Sequence, residues 1–566
     1  MKTKLTIAVL ALTVFADAQT LNEIIIKTDN ERYEAAASDF VILLGKEASK
    51  GENYFYYGEN FFKNEDLDNA NIQYQKGSEV NATNPLNYVG LGKVLWYKGK
   101  DADAKAMFFK AATLGANKNA EVMRKTAESY IYAPNKNLDE AIKILNEAIK
   151  LDPKNSANYI LLGDAQLEKN PTDGSAPIKS YQKASELNPK STLGILREGK
   201  LYQRGRNYQL ALDFYNKAIG IDANFAPAHR EIAEIYMMAG KPAKAIESWK
   251  KYLDLNPSND AKYRYMTALF NNKQYTEAIT IGEELIKVGY SNLFIHRLLG
   301  WAYGEMGNKN DTTAYSKGLR SLNQFFDLTK DKANFKYLVN DYKYKGMLMS
   351  KTGKDSLGTL EIEKGITIDP VVNCELWADI ARIWYKSKNY NKSIAAWEKR
   401  TSCTKAMGGQ ENFDFGKAYY FAGGAKQREA AAIKDAKLRP AKEAEAIPFF
   451  VKADSCFSKL TQSNPTYPAG FYWKGKVETY LDPTNEKWLA KPDFEKALQL
   501  VKPEDKGTTY KLNTIEALEY MGYYFVTLKD KEKSDAIFNE LKIIDPSNEK
   551  AKNYFNPPKG AAPKGK

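Results

Sequence analysis

The stretch AIKILNEAIKLDPKN at residues 141–155 returns as AIESWKKYLDLNPSN at residues 245–259, with small, large and turn residues laid out alike. Taking the opening alanine as a register mark, Ala36, Ala70 and Ala104 lie 34 residues apart, and Phe40, Tyr74 and Phe108 each follow four places later. Gly58 with Gly92, Gly199 with Ala233, Ala211 with Ala245, and Tyr215 with Trp249 keep the same separation. A phase held this long marks an internal repeat, and repeats of this length mean helical or propeller arrays rather than one large core.

Each period carries two apolar patterns of helical spacing, such as YVGLGKVLWYKGK at 88–100 and ADAKAMFFKAATLG at 102–115. The small residues fall where two helices of a hairpin press together, and the aromatics fill the space beside them. Pro153, Pro189, Pro257, Pro370, Pro465 and Pro546 each follow a second pattern and should end it, because the residue before a proline avoids helical geometry.

This layout resembles the tetratricopeptide repeat, whose Trp, Leu, Gly, Tyr, Ala, Phe and Pro positions recur across 34 residues. The match is strongest at 86–119, 191–225, 227–258, 339–370 and 516–546. It is weaker at Pro177, which stands where a second helix wants a small residue, and after residue 291. The resemblance implies an all-α fold, a right-handed α-solenoid of about 12 to 13 helix-turn-helix repeats. The organisation expected is a capping segment with a degenerate repeat at 19–50, a first array at 51–326, and a second at 327–548. A helical insertion is expected near 423–447, where GGAKQREAAAIKDAKLRPAKEAEAI has few large apolar residues and reads as a solvated arm. Residues 549–566 end in NPPKGAAPKGK and are expected to be a disordered basic tail.

The apolar run LTIAVLALTVFA at 5–16 is too short to span a bilayer. Lys2 and Lys4 precede it and Ala16-Asp17-Ala18 follows, the pattern of a signal peptide at 1–18 cleaved near Ala18. An exported, periplasmic or secreted protein is the expectation, with no transmembrane segment. The net charge of +13 is dispersed, Lys alternating with Glu along most helices, which argues against a nucleic-acid stripe.

A search for chemistry finds little. The two histidines, His229 and His296, lack metal-ligand spacing, and GLGK at 90–93 lacks the remainder of a phosphate loop. No cofactor, metal or catalytic residue is expected, and the chain reads as a non-enzyme. Cys374 and Cys403 stand at the first and thirtieth places of one repeat, at the same pole of its hairpin. A disulfide and two separate thiols are both open readings. Cys456 is expected to pack inside a second helix.

In the resembled family the concave wall is lined by set places of each first helix. Here those places hold Lys93 and Trp96, Lys200, Arg230, Tyr263, Arg297 and Trp301, and Arg382 and Tyr385. Arginine and aromatic side chains dominate binding hot spots, so the wall suits an extended or acidic segment of another envelope or secreted protein. The asparagines of the family's carboxylate clamp are replaced by Lys93, Lys200, Glu234, Thr267, Trp301 and Arg382. A glycan- or cell-wall-associated binder is the alternative, prompted by 37 tyrosines, although packing accounts for most of them.

Overall fold

The computed structural model describes residues 19–306, 312–333 and 335–557. The expected signal peptide at 1–18 and the end of the tail, 558–566, lie outside the described residues. Within them all regular structure is helical, with no strand, and the helices run in consecutive helix-turn-helix pairs.

Local sequence explains the pairs. First helices open on side chains that accept orphan backbone N–H groups: Asn84 from Leu86, Asn119 from Glu121 and Val122, Ser258 from Ala261. Second helices open on Asp66, Asn137, Asn207, Asn389 and Asp530, which do the same. Each cap contributes about 1 kcal/mol. All six prolines stand two residues beyond a second helix: Leu138–Leu151, Ser175–Leu187, Pro242–Leu255, Asp355–Ile368, Ile447–Ser463 and Lys531–Ile544. Pro177 is harmless because it falls in the first turn of Ser175–Leu187, where no intrahelical N–H bond is lost.

The small and aromatic residues that recur every 34 places meet within each hairpin. A Cβ on Gly92 would meet the Phe108 ring at 2.5 Å, and those on Gly58 and Gly163 would overlap the rings of Tyr74 and Tyr181. The glycine of the first helix is therefore the socket for the aromatic of the second. The turns between paired helices use a left-handed residue, glycine at Gly99 and Gly240 but Glu31 (φ 56°), Glu65 and Arg206 elsewhere. A side chain there costs about 1 to 2 kcal/mol.

The chain separates into two compact units, Met1–Leu298 and Leu299–Lys566. The division lies earlier than the one expected near residue 326. It falls where the repeat loses its period, for Thr312–Thr329 has 18 residues against 13 or 14 in the regular helices before it. In the first unit a core of Phe40, Phe55, Tyr74, Phe108, Tyr130 and Leu145 runs through the stacked hairpins. The segment 19–50 joins it as a hairpin of Leu21–Asp29 and Tyr33–Lys46.

In the second unit the 423–447 segment differs from a free arm. Gly409–Ala431 simply runs on, and a short helix, Arg439–Ala444, folds back against it. Ala430 and Ala446 are fully buried, and Lys442 bridges to Glu445. The expected tail at 549–566 also begins later: Asn548 caps a helix at Glu549–Phe555, and Tyr554 stacks on Phe538 at 4.3 Å. The sequence pattern ended at Pro546 and hid that last apolar contact.

Candidate functional site: the inner faces of the first helices

In the first unit, carboxylates and cations one period apart meet across neighbouring first helices. The Lys93 ammonium donates to both oxygens of Glu59, 34 residues earlier, at 2.7 and 2.9 Å. Lys125 donates to Glu59 and to Glu128, each at 3.0 Å, and Tyr74 donates to Glu59 at 2.8 Å. Lys93 and Glu59 are 3% and 2% exposed. Burial pushes the Glu59 carboxyl up, but Lys125 and Lys93 beside it win and hold it below its ordinary value. Glu128 is likewise held down by Lys125, Lys93 and Lys63 against the pull of burial. Further along, Arg197 reaches Asp164 at 2.9 Å, Tyr181 donates to the same carboxylate at 2.7 Å, and Lys200 meets Glu231 at 3.2 Å.

This network surrounds a cavity of about 290 Å³ whose lining includes Lys63, Arg124, Lys125, Glu128, Tyr132 and Arg197. Asp29 and Glu31, from the corner between the first two helices, also line it. Glu31 accepts from Arg230 Nη1 at 2.6 Å on both oxygens and from the Tyr252 hydroxyl at 2.9 Å, and Asn30 donates to Asp222 at 2.6 Å.

The expected wall residues therefore divide. Lys93 is not free for a partner, because Glu59 one period earlier supplies its carboxylate. Trp96 is buried as well, donating to the Asn135 carbonyl at 3.0 Å and meeting Tyr130 edge-on. Arg230 is held by Glu31 and by Glu231 at 3.1 Å. Lys200 is committed to Glu231. Tyr263 is half-buried, and burial pushes its hydroxyl pKa up; Arg297 lies 5.1 Å from the Phe294 ring.

The second unit builds its inner face from rings. Trp301 tilts on Tyr344 at 5.9 Å. Arg382 donates to Asp414 at 2.9 Å and stands 5.5 Å over Trp397. Tyr385 meets Tyr390 and Phe421, which stack on each other, and Trp473 lies against Phe421 and, at 5.2 Å, Tyr420. Lys417 Nζ sits 5.4 Å from Tyr385, 5.4 Å from Phe413 and 5.5 Å from Trp473. Among the described residues it has no carboxylate within ion-pair distance. Sequence reading missed Phe413, Lys417 and Phe421, although their spacing of four on one helix was a signal. The segment at 423–447 had broken the register.

Cys374 and Cys403 form a disulfide, with Cα atoms 5.7 Å apart. Cys456 is buried in Ile447–Ser463, and burial pushes its thiol up to about 12, which removes the thiolate that nucleophilic chemistry needs. Among the described residues no group of three or more His, Cys, Asp or Glu side chains is arranged to hold a metal ion, and no helix is long and apolar enough to cross a membrane.

Family models described as tetratricopeptide repeat match residues 126–155 and 195–225, and a second such model matches 230–290. These matches support the tetratricopeptide-repeat superfamily. Superkiller complex protein 3 of Mus musculus is 31% identical over 104 residues, 18% of this chain and 6% of that protein. Tetratricopeptide repeat protein 37 of Xenopus laevis is 27% identical over 122 residues, 20% of this chain and 8% of its own length. The chain thus spans less than a tenth of these two relatives. Formate-dependent nitrite reductase complex subunit NrfG of Escherichia coli O157:H7 is 29% identical over 140 residues, 24% of this chain and 70% of that one. A solved structure, the C-terminal part of a TPR repeat-containing protein from Cytophaga hutchinsonii, is 27% identical. It covers 51% of this chain and 98% of its own, with a TM-score of 0.41. Tetratricopeptide-repeat proteins generally mediate protein–protein interactions and assemble complexes.

Proposed function

We propose that the chain is a non-catalytic scaffold, exported to the cell envelope or beyond, that binds an extended acidic segment of another envelope or secreted protein. The binding face is the ring-lined wall of the second unit. The observation that carries this reading is Lys417, an ammonium set among Tyr385, Phe413 and Trp473 with no carboxylate of its own among the described residues. Such a pocket offers a charge-assisted bond to an acidic side chain and aromatic area to the apolar residue beside it, the combination typical of hot spots. Arg382 and Lys476 flank it, each held by a carboxylate, Asp414 and Glu516, that an incoming acidic group can replace. Export rests on the sequence at 1–18, and N-terminal sequencing of the mature protein should begin at or near Gln19.

Cross-linking in intact cells, followed by mass spectrometry, identifies the partner. Lys417→Ala should then weaken binding by about 1.5 to 3 kcal/mol, the loss of one charge-assisted contact. The control is Lys143→Ala, on a second helix and largely exposed. Equal binding by Lys417→Ala and wild type overturns the assignment. Cosedimentation with purified cell wall that survives high salt and needs Trp473 instead places the glycan reading first.

A further inference from the structure

The inner wall of the first unit carries the arginine-rich character that would suit an acidic ligand, and one acidic ligand is already there. Glu31 projects from a left-handed corner that costs backbone energy, and its carboxylate is 16% exposed against an Arg230 side chain that is 24% exposed. Glu65 and Arg206 take the same backbone conformation at later corners, yet among the described residues neither side chain makes a comparable long-range bond. The contacts of the first corner cluster on one target: Arg230 and Tyr252 take Glu31, 199 and 221 residues away in sequence, and Asp222 takes Asn30. Asp29 extends the seam by accepting from Lys63 at 2.6 Å, and Thr28 donates to Asn60 at 2.9 Å. The target is a complete carboxylate receptor, a guanidinium and a phenol converging on one group. Behind it lie the cavity and the cations Lys63, Arg124 and Arg197.

We propose that Arg230 and Tyr252 form a carboxylate-binding site whose resident occupant is the chain's own Asn30-Glu31 corner, and that this corner acts as an intramolecular clasp. While it is seated, the inner wall is closed to other proteins. A polypeptide presenting a carboxylate from an exposed turn competes for the same guanidinium, and its entry releases the helix Leu21–Asp29. This site lies in the first unit and does not depend on the Lys417 face.

The test uses the full chain and hydrogen exchange, which reads the clasp without any knowledge of a natural partner. Glu31→Gln and Arg230→Ala should each speed amide exchange across residues 24–32 by about tenfold. The double variant should be no faster than the more affected single one, because both substitutions remove the same contact. Exchange in the second unit should be unchanged, which separates release of the clasp from general unfolding. Poly-L-glutamate serves as the carboxylate probe. It should bind Glu31→Gln at least fivefold more tightly than wild type, and lose that gain in the double variant. Unchanged exchange in both single variants, or additive effects in the double, would falsify the clasp. Equal poly-glutamate binding by wild type and Glu31→Gln overturns the receptor.

Discussion

The same places on the first helices carry opposite chemistries in the two units. In Met1–Leu298 they hold carboxylates and cations that satisfy one another, Glu59 with Lys93 and Lys125 and Asp164 with Arg197, while Arg230 is satisfied by Glu31 from the first corner. In Leu299–Lys566 they hold rings, Tyr385, Phe421 and Trp473, with Lys417 among them, which has no ion-pair partner among the described residues. A repeat scaffold needs only the small residues and the sockets for its aromatics, so the inner face is left free to differ. Where it is charged, each ion is worth much only while its partner stays. Where it is aromatic, contacts of about 0.5 to 1.5 kcal/mol are spread over many neighbours. The first arrangement is brittle and self-contained; the second is tolerant and open.

The sharpest way to break that contrast is to remove one buried ion. Glu59→Ala leaves Lys93 and Lys125 to share Glu128 alone in a site that is almost fully buried, and should cost about 3 to 5 kcal/mol. Acid should act on the same spot. Glu59 and Glu128 have folded pKa values below their unfolded ones, so their contribution is fully present above the ordinary glutamate value of about 4.3 and is lost as pH falls through the folded values. Exchange rates in the first unit, compared at pH 7 and pH 3, should show the loss there first. A cost for Glu59→Ala under about 1 kcal/mol would mean that the network is slack.

The next largest effect belongs to the second unit. The Cys374–Cys403 bond closes a separation of 29 residues, and in the chain-entropy account this stabilises by about 3 to 4 kcal/mol. Denaturation with and without reductant should show it, and the first unit, whose described residues contain no cysteine, should not respond. If the second unit melts alike in both conditions, the covalent link holds nothing that the aromatic packing does not already hold.

The repeat was legible because its signals are local: Gly92 with Phe108 and Asp545 with Pro546 state socket and stop within one period. The occupancy of the wall was not. Lys93 looked free because its partner Glu59 sits exactly one repeat away, a pairing visible only when opposite charges are sought at the repeat distance. Arg230 looked free because Glu31 lies 199 residues before it, and no local rule reaches that far. Lys417 was missed when the extended helix Gly409–Ala431 broke the register.

A moderate effect tests the shared scaffold rather than the contrast. Gly92→Leu places a side chain where a Cβ alone would approach Phe108 to 2.5 Å, and Ala245 is equally enclosed, with no exposed surface. Overpacking at either position should cost about 1 to 3 kcal/mol. Neutral melting of both variants would mean that hairpin sockets are softer than their geometry.

The smallest effect has the opposite sign, and for that reason it sharpens the comparison. In the second unit Glu478 and Asp493 share a single cation: Lys474 donates to them at 2.9 and 2.6 Å. Burial pushes the Glu478 carboxyl up, Lys474 draws it down, and the neighbouring Asp493 adds to the rise; the result is a carboxyl well above the usual range. One ammonium balances one of the two charges. For an acid whose folded pKa exceeds its unfolded value, the favourable contribution is complete below about 4.3 and fades as pH rises toward the folded value. Glu478→Gln removes the charge that becomes costly and keeps an oxygen for Lys474. It should therefore stabilise the second unit at pH 8, by on the order of 1 kcal/mol, and change little at pH 4. Denaturant midpoints at the two pH values measure it. The first unit, with Glu59 and Glu128 held down by neighbouring cations, should weaken only as pH falls below about 4.3, whereas this site in the second unit should strengthen as pH falls from the folded value of Glu478 toward 4.3. Parallel pH profiles for the two units would show that the charge sharing at Lys474 is relieved in solution.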